Sequence, residues 1–219
     1  MSGLTTYTAS GLLGHITGKT AIFPLRAAYI ALFSAAGADD GTGFTELSGG
    51  AYARVATLPA DWATPTAAAP SVITNNNPIV FPNSTAVWGT IIAFGLYDAA
   101  TAGNLLAWDY FGNFPWLPAT ASAASPGVIT APRHSYLNGD TVMWSNEYGG
   151  TSPTFLAGSF TGPMLVQNSL TDTFTVTNGG IIVNTATSGD GMIRKVASQQ
   201  IIANVQATFP ANALNISLA

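Results

Sequence analysis

Apolar and polar positions alternate over much of the chain, most clearly in residues 86–108, AVWGTIIAFGLYDAATAGNLLAW. Trp88, Ile92, Phe94 and Leu96 fall on one face of an extended strand, and Ile91, Ala93, Gly95 and Tyr97 on the other. Asp98 to Asn104 is a run of small and turn-forming residues, after which Leu105, Leu106 and Trp108 begin a return arm. Alternation interrupted by a Gly/Asp/Asn cluster predicts a β-hairpin. A helix is the competing reading of so Ala-rich a stretch. Against it, Gly89, Gly95 and Gly103 would each cost a helix about 1 kcal/mol relative to Ala. The first arm is also dominated by β-branched and aromatic residues.

The same reading extends along the chain. Leu12 to Ile16 is a short apolar piece that suits one or two helical turns. Ala27 to Ser34 reads as a strand apolar on both faces, which places it inside a sandwich or at an interface. Gly37 to Gly43 is a loop, and Gly49-Gly50 marks a tight turn or bulge before Tyr52 and Arg54. Residues 58–77 form a long connection in which Ser71 to Thr74 can pair briefly, and Pro78 to Phe81 is the next strand. Residues 111–132 begin aromatic and become rich in Pro, Ala and Ser. Phe111, Phe114 and Trp116, beside prolines, read either as a partner-contact strip or as a cap on the sandwich core. After His134, Gly and Asp punctuate short strands at 141–145, 164–167, 173–177, 181–183 and 192–196. Turn signals at roughly ten-residue spacing predict a compact all-β module. Residues 200–218 return to the first texture.

Composition changes what surrounds these strands. Only 7% of the 219 residues are charged, against about 25% in ordinary globular chains. Hydrophobic residues make up 47% and the mean hydropathy is +0.32. So few charges do not cover a monomer's surface, so apolar and neutral faces are expected to be buried against other protein, chiefly copies of the same chain. A monomer coated with Thr, Asn and Ser is the alternative. No apolar run reaches the roughly 18 residues of a membrane helix, so membrane insertion is not expected. The net charge of −4, with six scattered Lys and Arg, argues against nucleic acid. The absence of Cys excludes disulfides and thiolate metal sites. The N-terminus lacks the basic and apolar regions of a secretory signal, so the sequons at Asn83-Ser84-Thr85 and Asn215-Ile216-Ser217 read as chance matches.

Candidate chemistry is sparse. Asp39, Asp40 and Glu46 could be taken for a calcium cluster, but their spacing fits no EF-hand and a solvated turn is the better reading. Glu46 and Arg54 are instead read as a structural ion pair. It is worth about 0–1 kcal/mol if exposed and serves more as a geometric pin if buried. His15 and His134 sit in no nucleophile–base motif. Asp98 and Asp109 fall at opposite ends of the return strand, unlike the carboxylate pair of a glycosidase. No catalytic residue, cofactor or metal is therefore expected. Trp62, Trp108, Trp116, Trp144 and Tyr148 could stack on sugar rings, although aromatics in β proteins more often serve core or interface.

Several of these strings together resemble a known family. They are Tyr29-Ile-Ala-Leu-Phe33, Glu46 with Ser48-Gly-Gly-Ala-Tyr-Ala-Arg-Val55, Ile79-Val-Phe-Pro82, Trp88-Gly-Thr90, and Leu96 to Leu106. They are similar to the small virion proteins of tailed phages labelled phage tail fibre protein, over residues 1 to about 110. In the short form of that family the last hairpin follows almost directly, whereas here the ending around Phe209 to Leu214 comes after a long interval. The expected fold is therefore all-β: an antiparallel β-sandwich of residues 1–132 plus 197–219, with a smaller inserted β module at 133–196. The resemblance implies a non-enzymatic structural protein of the virion surface, assembled in the host cytoplasm, as a head decoration (cement) protein or a tail-fibre component. The partners it implies are copies of itself, by analogy as a trimer, and major capsid or tail proteins. A carbohydrate-binding module for a host-surface glycan is the alternative.

Overall fold

The computed structural model describes residues 3–20, 27–112, 114–146, 149–156 and 164–218. The described residues are all-β apart from one α-helix and a 3-10 turn, and their strands pair antiparallel. It divides into two compact units, Met1–Asp109 with Gln199–Ala219, and Tyr110–Ser198.

The first unit opens with β1 (Gly3–Leu4) and helix α1 (Thr6–Ile16). The helix is longer than the apolar piece predicted, because Thr5 caps it: Thr5 Oγ1 accepts from the Thr8 N–H at 3.5 Å. No residue of α1 is buried. The sheet is built on β2 (Ala28–Ala35), where Ile30, Ala31 and Phe33 are 0% exposed and Leu32 1%. Four consecutive buried residues mean that both faces are covered, as the two-sided apolar pattern predicts. On one edge β2 pairs with β3 (Thr45–Glu46) and β4 (Val55–Thr57). Beyond these come β5 (Ser71–Thr74), β6 (Ile79–Asn83), β7 (Gly89–Ile91), β8 (Ala93–Tyr97) and β9 (Leu105–Tyr110). The other edge of β2 pairs with β8 from Tyr29↔Tyr97 to Phe33↔Ala93, and β8 and β9 form the predicted hairpin.

One detail of that hairpin differs from the alternation. The first arm breaks at Ile92, and β7 and β8 belong to different sheets. Ile91, Ile92 and Ala93 are all within 2% exposure, so three neighbours in a row are buried. A regular strand covered on one face only buries alternate side chains. The break resolves this, with the Ile92 N–H donating to the Phe33 carbonyl at 2.9 Å.

The second unit contains β10 (Leu117–Ala121), β11 (Ile129–Thr130), β12 (Thr141–Ser145), β13 (Thr154–Phe155), β14 (Met164–Gln167), β15 (Thr173–Asn178), β16 (Ile181–Ile182), β17 (Thr185–Thr187) and β18 (Gly189–Val196). The order β11-β10-β18-β12-β14-β15 closes on itself, because β15 also pairs with β11 through Ile129↔Phe174 and Thr130↔Thr173. The result is a six-stranded barrel. Ala119, Ala121, Ile129, Val142, Trp144, Met164, Val166, Phe174, Val176 and Ile193 alternate inward and fill it. Small Ala positions on β10 face large residues from other strands, which is how a narrow barrel fills without voids.

This compact unit begins at Tyr110, whereas the sequence pattern placed the start of the module at residue 133. The Pro/Ala/Ser-rich stretch supplies β10 and the closing strand β11, where the sequence pattern assigned no strand. The chain then returns to the first unit as β19 (Gln199–Ile201), β20 (Gln206–Phe209) and β21 (Asn215–Leu218), which pair with β7, β6 and β5 in turn. Buried polar side chains secure this return. Asn75, 0% exposed, donates to the carbonyls of Asn77 and Pro210 and accepts from the Leu214 N–H, each at 2.8 Å. Ser84, in the first sequon, is 1% exposed and donates to the Ile202 carbonyl at 2.6 Å.

A continuous barrel with its own core folds alone, whereas β5, β6 and β7 need the return strands. A fragment of residues 110–198 is expected to give a dispersed amide NMR spectrum and a cooperative melt. A fragment of residues 1–109 is expected to give neither.

Candidate functional site

The strings that carry the family resemblance converge on one side chain, Arg54. It follows a tight turn at Gly49 and Gly50, both at positive φ, closed by the Tyr52 N–H to the Gly49 carbonyl at 2.8 Å. The turn has no room for a side chain at residue 50, where a Cβ would lie 2.9 Å from Trp88 Nε1. That indole donates to the Gly50 carbonyl at 2.8 Å. Tyr52 then stands edge-on to Trp88 at 5.4 Å and stacks on Phe81. Its hydroxyl accepts from the Leu32 N–H at 2.9 Å and donates to Glu46 Oε1 at 3.1 Å.

Arg54 meets Glu46 side-on through two bonds, Nε to Oε1 at 2.8 Å and Nη2 to Oε2 at 2.6 Å. Its remaining nitrogen, Nη1, donates to the carbonyls of Ala99 (2.9 Å) and Ala102 (2.7 Å) in the β8–β9 turn. The guanidinium carbon lies 3.4 Å from the centroid of the Tyr97 ring. Asp98 shapes the same turn by accepting from the Asn104 N–H (2.7 Å) and side-chain amide (2.8 Å). The side chain of Arg54 is 7% exposed and that of Glu46 26%. Burial works against the Arg54 charge, but the Glu46 hydrogen bonds and charge outweigh it and hold its pKa above the ordinary value. Burial also pushes Tyr52 and Tyr97 up; the Glu46 carboxylate adds to this, while Arg54 opposes it.

A second cluster lies on the outer face of the barrel. Phe111, Phe114 and Trp116 are half-buried there. The Arg194 guanidinium sits 4.8 Å from the Tyr110 ring centroid and 5.3 Å from that of Trp116. Lys195 Nζ lies 5.5 Å from the Phe114 ring centroid and pairs with Asp140 at 2.7 Å. The strip is therefore engaged by two cations of β18. Each of the three rings keeps part of its surface accessible.

With both clusters in view, comparison with known families is informative. Residues 3–113 match the family described as podophage GP4 fiber I protein gp80. The chain belongs to that family. Membership makes it a fibre-type structural protein of a phage virion. A comparison with curated proteins finds no match. The matched span contains every residue of the Arg54 cluster, whose role in this chain is structural: it ties the β8–β9 turn to Glu46 of β3. It ends close to where the first unit ends at Asp109. The barrel and the return strands lie beyond the match.

The other candidate residues serve the fold. Trp108 is 2% exposed and its indole N–H donates to Asp39 Oδ1 at 3.0 Å, which assigns Asp39 a structural role. Asp40 accepts from the Thr42 hydroxyl and N–H, which hold its pKa below the usual carboxylate range. Trp144 is in the barrel core and donates to Asn146 Oδ1 at 2.8 Å, and Trp62 donates to Thr57 Oγ1 at 3.1 Å. Tyr148 lies outside the described residues. His134 is 5% exposed between Tyr136 and Phe174, with Nδ1 accepting from the Tyr136 N–H, and His15 is exposed on α1. Among the described residues no group of three or more His, Asp or Glu could hold a metal ion. Nor is any described helix long and apolar enough to cross a membrane. The roles of Tyr52 and Tyr97 were not anticipated from sequence. Their spacing around a lone Arg was the available signal.

Two predictions follow from this chemistry. Removing one partner of a buried ion pair costs about 3–5 kcal/mol. Glu46 keeps partial contact with water, so Arg54→Ala is expected to cost about 3 kcal/mol, read as a drop in the urea midpoint. Arg54→Lys is expected to recover less than half, because an ammonium cannot span Glu46 and both turn carbonyls. The second prediction concerns alkaline pH. Burial pushes Tyr136, which donates to the Ile193 carbonyl at 3.4 Å, up to about 12 from an ordinary 10.0. The folded chain then holds this proton where the unfolded chain has lost it. The resulting stability is complete below about pH 10 and is lost as pH rises towards 12. Denaturation midpoints measured across that window are expected to fall while tyrosinate absorbance rises, and Tyr136→Phe to make the fall shallower.

Proposed function

We propose that this fiber I family member works as a non-enzymatic tail-fibre-type component on the particle surface, held there by burial of uncharged faces between copies of itself and against a phage scaffold protein. The observation that carries this reading is helix α1. Its sequence, TYTASGLLGHI, has no Asp, Glu, Lys or Arg. Leu13 is 64% exposed and Ile16 70%. An isolated helix of this length, with two glycines, is marginal in water and gains its stability from packing. Ala9, Leu13 and Ile16 recur at the spacing of one helix face, so an apolar stripe is available to a partner of equally low charge. A second copy supplies such a surface, since the whole chain is 7% charged. The number of copies is taken as three.

Sedimentation of the purified chain tests the association. The wild type is expected to sediment as a trimer, and Leu13→Glu with Ile16→Glu as a monomer with an unchanged circular dichroism spectrum. Gold-antibody labelling of intact particles tests the placement. Label at the tail end is expected. Label spread over the head would replace the fibre reading with a decoration or cement role. Absence of label from every particle would overturn the virion reading.

A further inference from the structure

The turn that links β11 to β12 holds a buried histidine between two residues of left-handed backbone. Arg133 (φ +56°) and Ser135 (φ +55°) both lie in the region that residues with a side chain rarely adopt. Between them His134 is 5% exposed, its ring centroid 4.9 Å from those of Tyr136 and Phe174. Its Nδ1 accepts from the Tyr136 N–H at 2.8 Å. This two-residue closure is the one an Asn or Asp side chain makes in an Asx turn. Nε2 is buried and meets no hydrogen-bond partner among the described residues.

An imidazole accepts a hydrogen bond only when neutral, and protonation turns both ring nitrogens into donors. The acceptor at Nδ1 therefore requires the neutral ring with its hydrogen on Nε2. A proton on Nδ1 would set two N–H donors against each other across 2.8 Å, and the bond that closes the turn would be lost. Among the described residues no carboxylate bonds to Nε2. Within the turn, Arg133 carries a like charge at the neighbouring position, and the Asp140 carboxylate is engaged by the Leu137 N–H (2.8 Å) and by Lys195 (2.7 Å). In the loop before β15, Asp172 Oδ1 accepts from the Arg133 N–H at 2.9 Å. Strand β15 itself, TFTVTN, has no titratable side chain. On β18, which the Tyr136 hydroxyl reaches through the Ile193 carbonyl, the charged residues are Asp190, Arg194 and Lys195.

We propose that residues 132–140 form an acid-released latch on the barrel: the turn stays closed while His134 is neutral and opens when the ring takes up a proton. The loop at 168–172 opens with it, because the two are joined by three bonds. The Asp172 carbonyl accepts from the Ala131 N–H at 2.9 Å, Ser169 Oγ donates to the Tyr136 carbonyl at 2.6 Å, and the Ser169 N–H donates to Asn138 Oδ1 at 2.9 Å. The left-handed backbone at Arg133 and Ser135 favours release, since it relaxes once the closing bond is gone. Opening uncovers Tyr136, 6% exposed in the closed turn, in loops that already present Leu137 and Leu170 to solvent. The barrel thus gains apolar surface as the medium acidifies. The latch is independent of where the protein sits on a particle.

Hydrogen exchange of the full chain, read by mass spectrometry and corrected for intrinsic exchange, tests this between about pH 7.5 and 5.5, the range in which histidine changes charge. Carboxylates at their ordinary values stay ionised there. The chain has two histidines, so a His15→Gln background leaves His134 alone to titrate in this range. A histidine that must be neutral in the closed form loosens it about tenfold per pH unit below the ordinary histidine value of about 6.5. Protection of the amides in 131–139 and 168–172 is therefore expected to fall about tenfold across the range, while the strands 141–145 and 189–196 stay unchanged. His134→Asn, whose Oδ1 can accept from the same N–H without titrating, is expected to abolish the pH dependence. Constant protection with the histidine in place, or a fall shared equally by all strands, would overturn the proposal, as would an equal fall in His134→Asn. The first two results decide it from the native histidine alone, should the Asn variant fail to fold.

Discussion

The first unit depends on a single buried cation. Arg54 follows the Gly49-Gly50 turn, and its hydrogen bonds tie Glu46 of β3 to the tip of the β8–β9 hairpin. In a chain this poor in charge, burying a guanidinium is costly. It persists because a planar fork with fixed donor directions can meet a carboxylate side-on and two carbonyls at once. An apolar residue of similar volume would fill the space but leave the carbonyls of Ala99 and Ala102 without donors. The pair contributes less to net stability than to geometry: it allows only one position of the hairpin tip relative to the turn. Tyr52 extends the constraint inward by satisfying Leu32, whose N–H would otherwise be orphaned in the middle of a fully buried strand.

This explains why part of the fold was legible in the sequence. The residues that fix the tip are local in sequence and chemically distinctive: an Arg, a Glu and a Gly pair in a chain with few charges. The strands of the barrel were legible for a different reason. Each is short, alternating and bounded by Gly, Asn or Asp, so 141–145 and 164–167 match the observed strands end to end. What alternation hides are the places where tertiary structure overrides it. The break at Ile92, which sends β7 and β8 into different sheets, leaves no mark on the alternation of the arm. Ala119 and Ala121 face the barrel core, but small residues between prolines carry little hydrophobic signal, so no strand was assigned at β10 or β11. The pairing of Thr120 with Thr130 and with Asp190 was illegible because these residues are remote in sequence and become neighbours only through strand register.

The position of the barrel in the chain also has a physical rationale. The family match ends at residue 113, and the chain re-enters the first unit at Gln199. Within the second unit the two ends of the segment are tied together, the Ala197 N–H donating to the Phe111 carbonyl at 2.9 Å. An inserted segment whose ends are adjacent asks its host to open a gap of one backbone hydrogen bond. The entropic cost of such a closure depends weakly on how much chain lies between. A whole barrel can therefore be carried between β9 and β19 at little more expense than a surface loop, provided it folds within itself.

Closure has a consequence for recognition. An open sheet offers its edge backbone to any extended chain, and a charge-poor protein with such edges would aggregate. The six-stranded ring uses its backbone groups internally, so what it offers to a ligand around the ring is side chains. In the first unit exposed apolar side chains such as Leu13, Ile16 and Val87 stand on the surface. On the barrel wall the outward positions of β10, β11 and β18 are Thr, Pro, Asp, Met and Arg, and the Arg194 guanidinium lies over the rings of Tyr110 and Trp116. Where backbone edges are spent on closure, selectivity passes to the outward side chains.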